Sequence, residues 1–548
     1  MPDAEKLIQR FESLRVARHE WEGRWQLCTD FVLPHLAAKD SDRTNRKIFD
    51  STAPNALTRC ASAFEGLLAP RQGKWHSYTT GDPELDEDPE VARWLEESRD
   101  RTFKFRYEAV SNFANQFTEA MISLCCLGTA VMYIDENPGV GLRYQCVPLH
   151  EVYLAEDAWG KIDTVIRSYT LTARQAEQQF GEELPEDILK DAGDPKHCEK
   201  KHDFLHMVFP NGESAVSPKT GIKHKIASIH MAKSARKIVR ESGYSTMPFA
   251  VSRFSVTPGE VYGRSPAMTA MPAICQINEM QKLILRAGYR VVSPPIMAQD
   301  DDVLNSFSLE AGYINLGGLD EQGNARIKAF DSGGNINIGL ELINAARDTI
   351  NEAFYLTLFQ VLAETSGNQT ATEVIAREQE RAQLLAPVTG RQQSELLDAM
   401  IHREVDILAR SGAFSPRPQQ LADSGAGVVP RYETSVNQAW AAGEGRAVLS
   451  ALEAVSIMAQ MDPSVVSAIN MPDALRSIWA GFGAPLKVLK TEEEVAEIQA
   501  QQAEAQQQAE MLQQGQALAG GIDQLAGAEE KLARADSMGG SGLADVLG

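Results

Sequence analysis

The sequence predicts a mainly α-helical chain with smaller β-rich units, an α+β protein built from several structural units. Three observations lead to this prediction. Apolar residues recur every three to four positions over most of the 548 residues, as on the buried face of an amphipathic helix. A strand-like pattern replaces that spacing over 129–170, 196–240 and 294–335. The length also exceeds what one compact core usually carries, so about two to four units are expected.

Helices dominate the N-terminal part. The apolar spacing predicts an amphipathic helix over 4–32 and a second helix over 53–69. An acidic stretch, 82–100, starts with turn-forming residues and continues as a helix. A long helix is predicted over 101–127, and Gly128 is placed to end it, because glycine adopts the left-handed conformation that closes many helices.

The strand-like stretches have clear turn signals. Residues 129–170 contain TAVMYID, LRYQCVPL and KIDTVIRSYTL, with a turn at Asn137-Pro138-Gly139. A small helix is predicted near 172–181. The segment 196–240 holds further strands between turns, FLHMVF, KIASIHM and KIVR.

Two helices enclose the next strand-like unit. The first is predicted over 268–291 and is broken by Ser293-Pro294-Pro295. The segment 294–335 is rich in glycine and contains the short strands PIMAQ, GYINLGG and ARIKAF. The second helix is predicted over 339–362. The sequence therefore predicts a helix, a small β unit and a returning helix.

A very long helix is predicted over 371–411. Thr370 and Glu373 have the spacing of a capping box at its start, and Pro387 should kink it. After a connector rich in proline and glycine over 416–430, helices resume over about 437–482. A second capping box, Thr491 with Glu494, opens a helix rich in glutamine and alanine.

The charge and the cysteines exclude some classes of protein. Lys and Arg total 53 against 75 Asp and Glu, a net charge of -22, which argues against a protein that grips nucleic acid over a broad surface. An acidic surface suits DNA that slides past, although solubility alone also explains it. The seven cysteines form no C-x-x-C pair, which indicates buried thiols in a reducing compartment. Without a signal core or a membrane-length apolar run, we expect a cytoplasmic product that is neither exported nor inserted.

No catalytic motif is visible in the sequence. Neither Gly73-Lys74 nor Gly160-Lys161 has the upstream glycine that a phosphate-binding loop requires. The sequence also lacks an H-E-x-x-H motif and clustered Cys/His spacing, so we expect no catalytic residue, no metal and no cofactor. These absences argue against an ATPase or a nuclease.

The most distinctive stretches lie in three places. Residues 258–278, PGEVYGRSPAMTAMPAICQIN, lead into a helix through Tyr-Gly-Arg-Ser-Pro. Residues 369–412 contain Thr-Ala-Thr-Glu, a Pro followed by Gly-Arg, and a later Glu-Leu-Leu. Within 71–100, RQGKWHSYTT and VARWLEESRD each hold a tryptophan. Over about residues 5–480 the chain is thereby similar to the portal, or head-to-tail connector, proteins of short-tailed bacteriophages (podoviruses).

The resemblance implies a portal fold with wing, stem, clip and crown, assembled as a ring of about twelve copies at one capsid vertex. It divides the chain into a wing over 1–264, a first stem helix over 265–293, a clip over 294–337, a second stem helix over 338–362, a tunnel loop over 363–370, a long kinked helix with the return to the wing over 371–429 and a crown over 430–490. Composition predicts the rest: a helix rich in glutamine and alanine over 491–515, and a disordered tail over 516–548, which has too few large apolar side chains to offset the entropy of ordering.

Two sets of candidate site residues follow. The candidates for contact with DNA in the channel are Glu364, Thr365, Ser366, Asn368 and Gln369 of the tunnel loop, with Lys282, Arg286 and Arg290 of the first stem helix. The candidates for ion pairs between helices or subunits are Glu341, Asp348 and Glu352 of the second.

Both sets have alternative interpretations. The three basic residues recur every four positions and so share one helix face. They face the channel, pair with the acidic residues in the same or a neighbouring subunit, or form a solvated face. The loop 363–370 either touches DNA or merely joins two helices.

The implied function is a structural conduit for genome packaging and ejection, and the attachment site of the tail. The implied partners are further copies of the chain, double-stranded DNA, the major capsid and scaffolding proteins, the terminase, and tail or adaptor proteins at the clip, with no membrane. The protein would be made in the bacterial cytoplasm and reside in the virion. The alternatives are another virion structural protein, such as a tail-tube or internal head protein, and a DNA-processing enzyme.

Overall fold

The computed structural model describes most of the chain from residue 4 to residue 432 and short stretches beyond it. The described residues are 4–33, 48–137, 141–211, 224–292, 296–298, 322, 327–329, 336–360, 384–432, 447–455, 474–475 and 478–479. The chain divides into two units, 1–86 with 94–437 and 87–93 with 438–548. In the second unit, residues 447–455 are helical.

The N-terminal part is helical, as predicted. Its elements are α1 (Ala4–Val32), α2 (Thr52–Leu68), β1 (His76–Thr79), α3 (Pro83–Glu87), α4 (Pro89–Tyr107) and α5 (Phe113–Leu127). The predictions over 4–32 and 53–69 are confirmed. Gly128 ends α5 in the left-handed conformation at φ 82°, which confirms its predicted place.

The prediction of one helix over 101–127 was wrong. The chain leaves the helix after Tyr107 and starts α5 only at Phe113. The Ser111 hydroxyl donates to the backbone carbonyls of Arg106 and Glu108, while Asn112 takes a left-handed conformation at φ 56°. Serine and asparagine compete with helical hydrogen bonds in this way, so Ser111-Asn112 interrupts an otherwise helical apolar pattern.

The strands form two larger antiparallel sheets. Their elements are β2 (Thr129–Asn137), β3 (Gly141–Cys146), β4 (Val152–Glu156), β5 (Ile162–Thr172), α6 (Ala173–Phe180), α7 (Glu186–Gly193), β6 (Lys201–Pro210), β7 (Ile226–Ala232), β8 (Lys237–Tyr244) and β9 (Phe249–Arg253). One sheet has the order β3-β2-β9, and the other is the meander β4-β5-β6-β7-β8. The strands predicted over 129–170 and 196–240 are confirmed, whereas α7 was not predicted.

The five-stranded sheet is covered on both faces. Leu7 and Phe11 of α1 join a core with Leu205 and Met207 of β6. On the other face Phe180 of α6 packs in a second core. Side chains alternate between the faces of a strand, so β6 contributes to both layers.

Two histidines stack inside this second layer. The rings of His206 and His230 lie 4.0 Å apart and are nearly parallel. Ser228 hydrogen-bonds His206 at 3.0 Å, and Tyr169 bonds His230 at 3.2 Å. Burial, followed by the charges of Arg240 and Arg167, lowers the pKa of His230 to about 3. Burial and the neighbouring His230 also lower the pKa of His206.

Because of these two histidines, we expect the fold to lose stability in mild acid. A histidine whose folded pKa is depressed stabilises the fold fully above its unfolded pKa of about 6.5, and this contribution falls as the pH drops towards the folded pKa. We expect His230→Gln to reduce the loss of unfolding free energy between pH 7 and pH 5 by about 2 kcal/mol, measured by urea unfolding. His19→Gln on the exposed face of α1 is the control, and an equal effect there would contradict the prediction.

The central helices follow the predicted order. The elements are α8 (Pro266–Val292), β10 (Ile296–Ala298), β11 (Ile327–Ala329), α9 (Ile336–Ala353) and α10 (Leu356–Gln360). The strands β10 and β11 pair antiparallel, with Met297 opposite Lys328, which confirms PIMAQ and ARIKAF as short strands. The predicted strand GYINLGG lies outside the described residues.

The prediction of one helix over 339–362 was wrong. The helix ends at Ala353, and Tyr355 has a left-handed φ of 59° before α10 begins. Phe354 is fully buried, and the rings of Phe64 and Phe254 lie 6.5 and 6.0 Å from that of Tyr355. The left-handed backbone of Tyr355 ends the regular helix, and its ring packs against these two aromatic residues.

The described part of the long predicted helix is helical but contains a π-turn. Residues 384–392 are helical, Pro387 among them, and a π-turn follows at Gln393–Leu397. The kink expected at Pro387 stays a prediction. The helix continues as α11 (Asp398–Arg410), followed by α12 (Gln419–Ser424) and β12 (Val429–Tyr432), which pairs with β1. The predicted capping boxes, Thr370 with Glu373 and Thr491 with Glu494, lie outside the described residues.

The π-turn packs against β9. Gln392 donates to the carbonyl of Arg253 at 3.0 Å, and Glu395 accepts from the Arg253 backbone N–H at 2.9 Å. Both side chains therefore reach the same residue of β9 while Leu396 and Leu397 remain buried. The π-turn, which accommodates one extra residue, therefore lies at the contact of the long helix with β9.

Candidate functional site

The helices α8 and α9 carry most of the described candidate residues, and the start of α8 is fixed by local contacts. The Ser265 hydroxyl accepts from the Met268 backbone N–H at 3.0 Å and donates to the Cys126 carbonyl at 2.7 Å. It therefore caps the helix, and Pro266 at the first helical position costs no hydrogen bond. The ring of Tyr262 packs against Trp21 and Trp25 of α1.

Two glycines let the backbone approach this helix start closely. A Cβ atom added at Gly263 would lie 2.2 Å from the Gly128 carbonyl oxygen, and one at Gly128 would lie 2.2 Å from that of Gly263. The Gly263 N–H donates to the Thr129 hydroxyl at 2.9 Å. The Tyr-Gly-Arg-Ser-Pro segment is thus a packed junction between α5, β2 and α8.

A network of polar contacts through the buried side chains of Asn278 and Asp50 joins α8 to α9. The side-chain oxygen of Asn278 accepts from the backbone N–H groups of Phe49 and Asp50 at 2.8 and 3.3 Å. The carboxylate of Asp50 pairs with Arg347 of α9 at 2.8 Å. Burial alone would raise the pKa of Asp50, but hydrogen bonds from Thr52 and Arg347 hold it below its ordinary value. The segment before α2 therefore ties the two helices together.

The basic candidates lie on the outer surface of α8. Lys282 forms an ion pair with Glu279 of its own helix at 3.0 Å, and Arg286 is exposed. The side chain of Arg290 lies outside the described part of the structure.

The acidic candidates lie on α9. Glu341, Asp348 and Glu352 are all exposed. Among the described residues, no ion pair joins them to Lys282 or Arg286. Pairing with Arg290 within one subunit stays a prediction. Pairing between neighbouring subunits stays a prediction.

The tunnel-loop candidates cannot be placed on this framework. Glu364, Thr365, Ser366, Asn368 and Gln369 lie outside the described residues, as do most residues assigned to the clip and the crown. Within the described ranges, no group of three or more His, Cys, Asp or Glu side chains could hold a metal ion. No helix there is long and apolar enough to cross a membrane.

Sequence reasoning missed a buried polar cluster around Glu404 of α11. Arg106 donates through Nε to the Glu404 carboxylate at 3.1 Å, and the Tyr144 hydroxyl donates to the same carboxylate. Arg106 also donates to His76 Nε2 at 2.9 Å. Burial, together with the Arg106 charge, lowers the pKa of His76 to about 2. A signal was present, because Glu404 occupies an apolar-face position between Ile401 and Leu408.

A second missed cluster surrounds Arg253. Its guanidinium pairs with Glu156 and, at 2.9 Å, with Glu395, and it donates to the Gly160 carbonyl at 3.1 Å. These contacts connect β9, the end of β4, the turn before β5 and the π-turn. The two clusters hold the long helix onto the sheets of the first unit.

Comparison with known proteins gives consistent matches over the chain. The family model described as bacteriophage head to tail connecting protein matches residues 4–489. A probable portal protein of Bordetella phage BPP-1 is 25% identical over 554 residues, covering 98% of this chain and 97% of the relative. The portal protein of Salmonella phage epsilon15 is 25% identical over 515 residues, covering 91% of each chain.

Two solved structures match at lower similarity. A chain in the neck of an empty gene transfer agent particle has a TM-score of 0.36 and 12% identity, covering 70% of this chain and 81% of its own length. A chain in the virion of a native gene transfer agent particle has a TM-score of 0.34 and 12% identity, with coverages of 76% and 90%.

Proposed function

The chain belongs to the family of bacteriophage head-to-tail connecting proteins, and we propose from this membership that it is the portal protein of its virion. It forms the oligomeric ring at one capsid vertex, the channel for genome packaging and ejection, and the attachment site of the tail. The observation that carries this function is the family match over residues 4–489. A tail-tube or internal head protein is not favoured, because both curated relatives are named as portal proteins.

The mechanism we propose is geometric and requires no catalysis by this chain. Repeated head-to-tail contacts between identical subunits close a ring around a central hole. The net charge of -22 disfavours adsorption of DNA onto the ring, since both are negatively charged. The absence of a phosphate-binding loop in the sequence supports the view that the energy for packaging comes from a separate ATPase, the terminase.

The roles that we assign to separate segments of the chain are also part of this proposal. The clip between α8 and α9 is the candidate surface for the terminase during packaging and for tail or adaptor proteins afterwards, because a unit carried between two helices suits serial partners. The loop 363–370 is the candidate contact with DNA, and the wing is the candidate contact with capsid and scaffolding proteins.

The ring is tested directly on the purified protein. We expect negative-stain images of rings with a central hole, and a mass of about twelve times the 60.1 kDa chain because a closed cyclic assembly has a fixed subunit number.

A variant lacking Ser366–Gln369 is expected to form the same rings but to lose genome retention in assembled particles. A monomeric or trimeric protein with nuclease or ATPase activity would contradict the portal function, and normal retention would contradict the role of the loop alone.

A further inference from the structure

The outer surface of α8 combines positive charge with exposed apolar side chains. Lys282 and Arg286 are four residues apart and therefore lie about 6 Å apart on one face. They are flanked by Leu283, Leu285 and Tyr289, whose exposed fractions are 58%, 44% and 74%. A contiguous apolar and charged surface of this kind is typical of a binding surface.

The outer surface of α9 has the complementary composition. Its acidic residues are Glu341, Asp348 and Glu352, all exposed, while its one basic residue, Arg347, pairs with Asp50. Leu340 and Leu342 flank the acidic stripe and are 46% and 48% exposed. One helix thus offers a basic stripe with apolar edges, in which Glu279 pairs with Lys282, and the other an acidic stripe with apolar edges.

The geometry of the helix pair turns these surfaces away from each other. A Cβ atom added at Gly339 would lie 3.1 Å from the side chain of Ile284, so these two positions face each other between α8 and α9. Lys282 and Arg286 are each two residues from Ile284, about 200° around the helix, and Glu341 is two residues from Gly339. The charged stripes therefore lie on opposite outer sides of the pair, which explains why they form no ion pair within one subunit.

The same contacts show which residues of α8 and α9 lie at the same level, that is, at the same height along the axis of the helix pair. Ile284 is level with Gly339, while Asn278 is linked through Asp50 to Arg347. The residue numbers rise on α8 as they fall on α9, so the two helices are antiparallel. At 1.5 Å per residue, Glu341 lies about 3 Å from the level of Ile284 on the side of Lys282, so it is level with Lys282 and about 6 Å from the level of Arg286.

The other two acidic residues lie further along α9. Asp348 is about 14 Å from the level of Ile284, and Glu352 is about 20 Å from it. Of the three acids, Glu341 alone therefore lies within one helical turn of both Lys282 and Arg286 along the axis.

We infer that the basic face of α8 in one subunit binds the acidic face of α9 in the next subunit of the ring, with Glu341 level with Lys282 and within one helical turn of Arg286. This inference rests on the proposed function, because it needs a ring. The ring axis relates each residue to its copies in the other subunits, and all copies have the same height along that axis. If the helix pair runs parallel to the channel, residues of α8 and α9 at similar heights can therefore contact each other across the subunit interface. The docked faces also cover the exposed apolar side chains, and the occupant of each face is a second copy of this chain.

Charge reversal and its rescue test the inference. Arg286→Glu is expected to shift the protein from ring-sized to monomer-sized species in light scattering, because it places two negative charges opposite each other at every interface. Glu341→Arg is expected to do the same. The double variant Arg286→Glu with Glu341→Arg restores the opposite charges and is expected to restore rings. The circular dichroism spectrum of each variant is expected to match that of the unchanged protein, since both side chains are exposed.

The matched control uses Asp348, an acidic residue that does not lie near the height of Arg286 along the helix pair. Arg286→Glu with Asp348→Arg carries the same formal charge as the first double variant and is expected not to restore rings. Normal rings for Arg286→Glu alone would overturn the inference while leaving the portal function intact, and if those rings failed to retain DNA the stripe would be assigned to the channel. Failure of the first double variant to restore rings would also overturn it. Only failure of the unchanged chain to form rings would count against the proposed function itself.

Discussion

Glu404→Gln is expected to lower the free energy of unfolding by about 3–5 kcal/mol. The carboxylate of Glu404 and the guanidinium of Arg106 are fully buried, and they form an ion pair. Glutamine has nearly the same size, so the substitution removes the charge and leaves the Arg106 cation without its counter-ion in the interior. A buried, unpaired charge is far more costly than a lost hydrogen bond between neutral groups.

The measurement is urea unfolding of the unchanged protein and the variant in the same assembly state. Glu199→Gln is the control, because it removes the exposed ion pair with Arg174 and is expected to cost less than about 0.5 kcal/mol. The double variant Arg106→Met with Glu404→Leu removes both charges and is expected to be more stable than Glu404→Gln. Equal stability of Glu404→Gln and Glu199→Gln would show that the buried pair does not hold α11 in place.

Gly128→Ala is expected to cost about 3–5 kcal/mol, combining the strain of a left-handed alanine with a backbone clash. Gly128 has φ 82°, and its added Cβ would approach the Gly263 carbonyl oxygen to 2.2 Å. Relief requires movement of the segment that starts α8. We therefore expect a lower midpoint of thermal unfolding.

Gly81→Ala separates the two contributions. Gly81 has nearly the same φ, 81°, but no atom of the described residues lies within 4 Å of its added Cβ. It should show only the conformational strain, about 1–2 kcal/mol. If Gly128→Ala were no worse than Gly81→Ala, the close approach of Gly128 to Gly263 would not be a constraint on the fold.

The local pattern of apolar and turn-forming residues was sufficient to predict much of the fold. The helix α1, the strands of the five-stranded sheet and the helix–strand–helix order around β10 and β11 follow from apolar spacing and turn residues. The pattern failed where one or two side chains override it. Ser111 and Asn112 split one predicted helix, Phe354 and Tyr355 split another, and none of these interruptions changes the apolar spacing.

The site was predictable only as separate parts. The charged stripes of α8 and α9 are visible in the sequence, but their relative direction depends on the contact between Ile284 and Gly339. The pair of Arg106 with Glu404 joins positions 298 residues apart. No spacing rule connects such positions, although a glutamate on the apolar face of α11 indicates that a buried partner must exist.

The most direct test of the portal ring is a cryo-electron microscopy reconstruction of the purified assembly. We expect a closed ring in which the pairs of α8 and α9 surround the central hole, with Lys282 and Arg286 of each subunit against Glu341 of the next. Rings in which these helices lie on the outer rim, or an assembly without a central hole, would contradict the account.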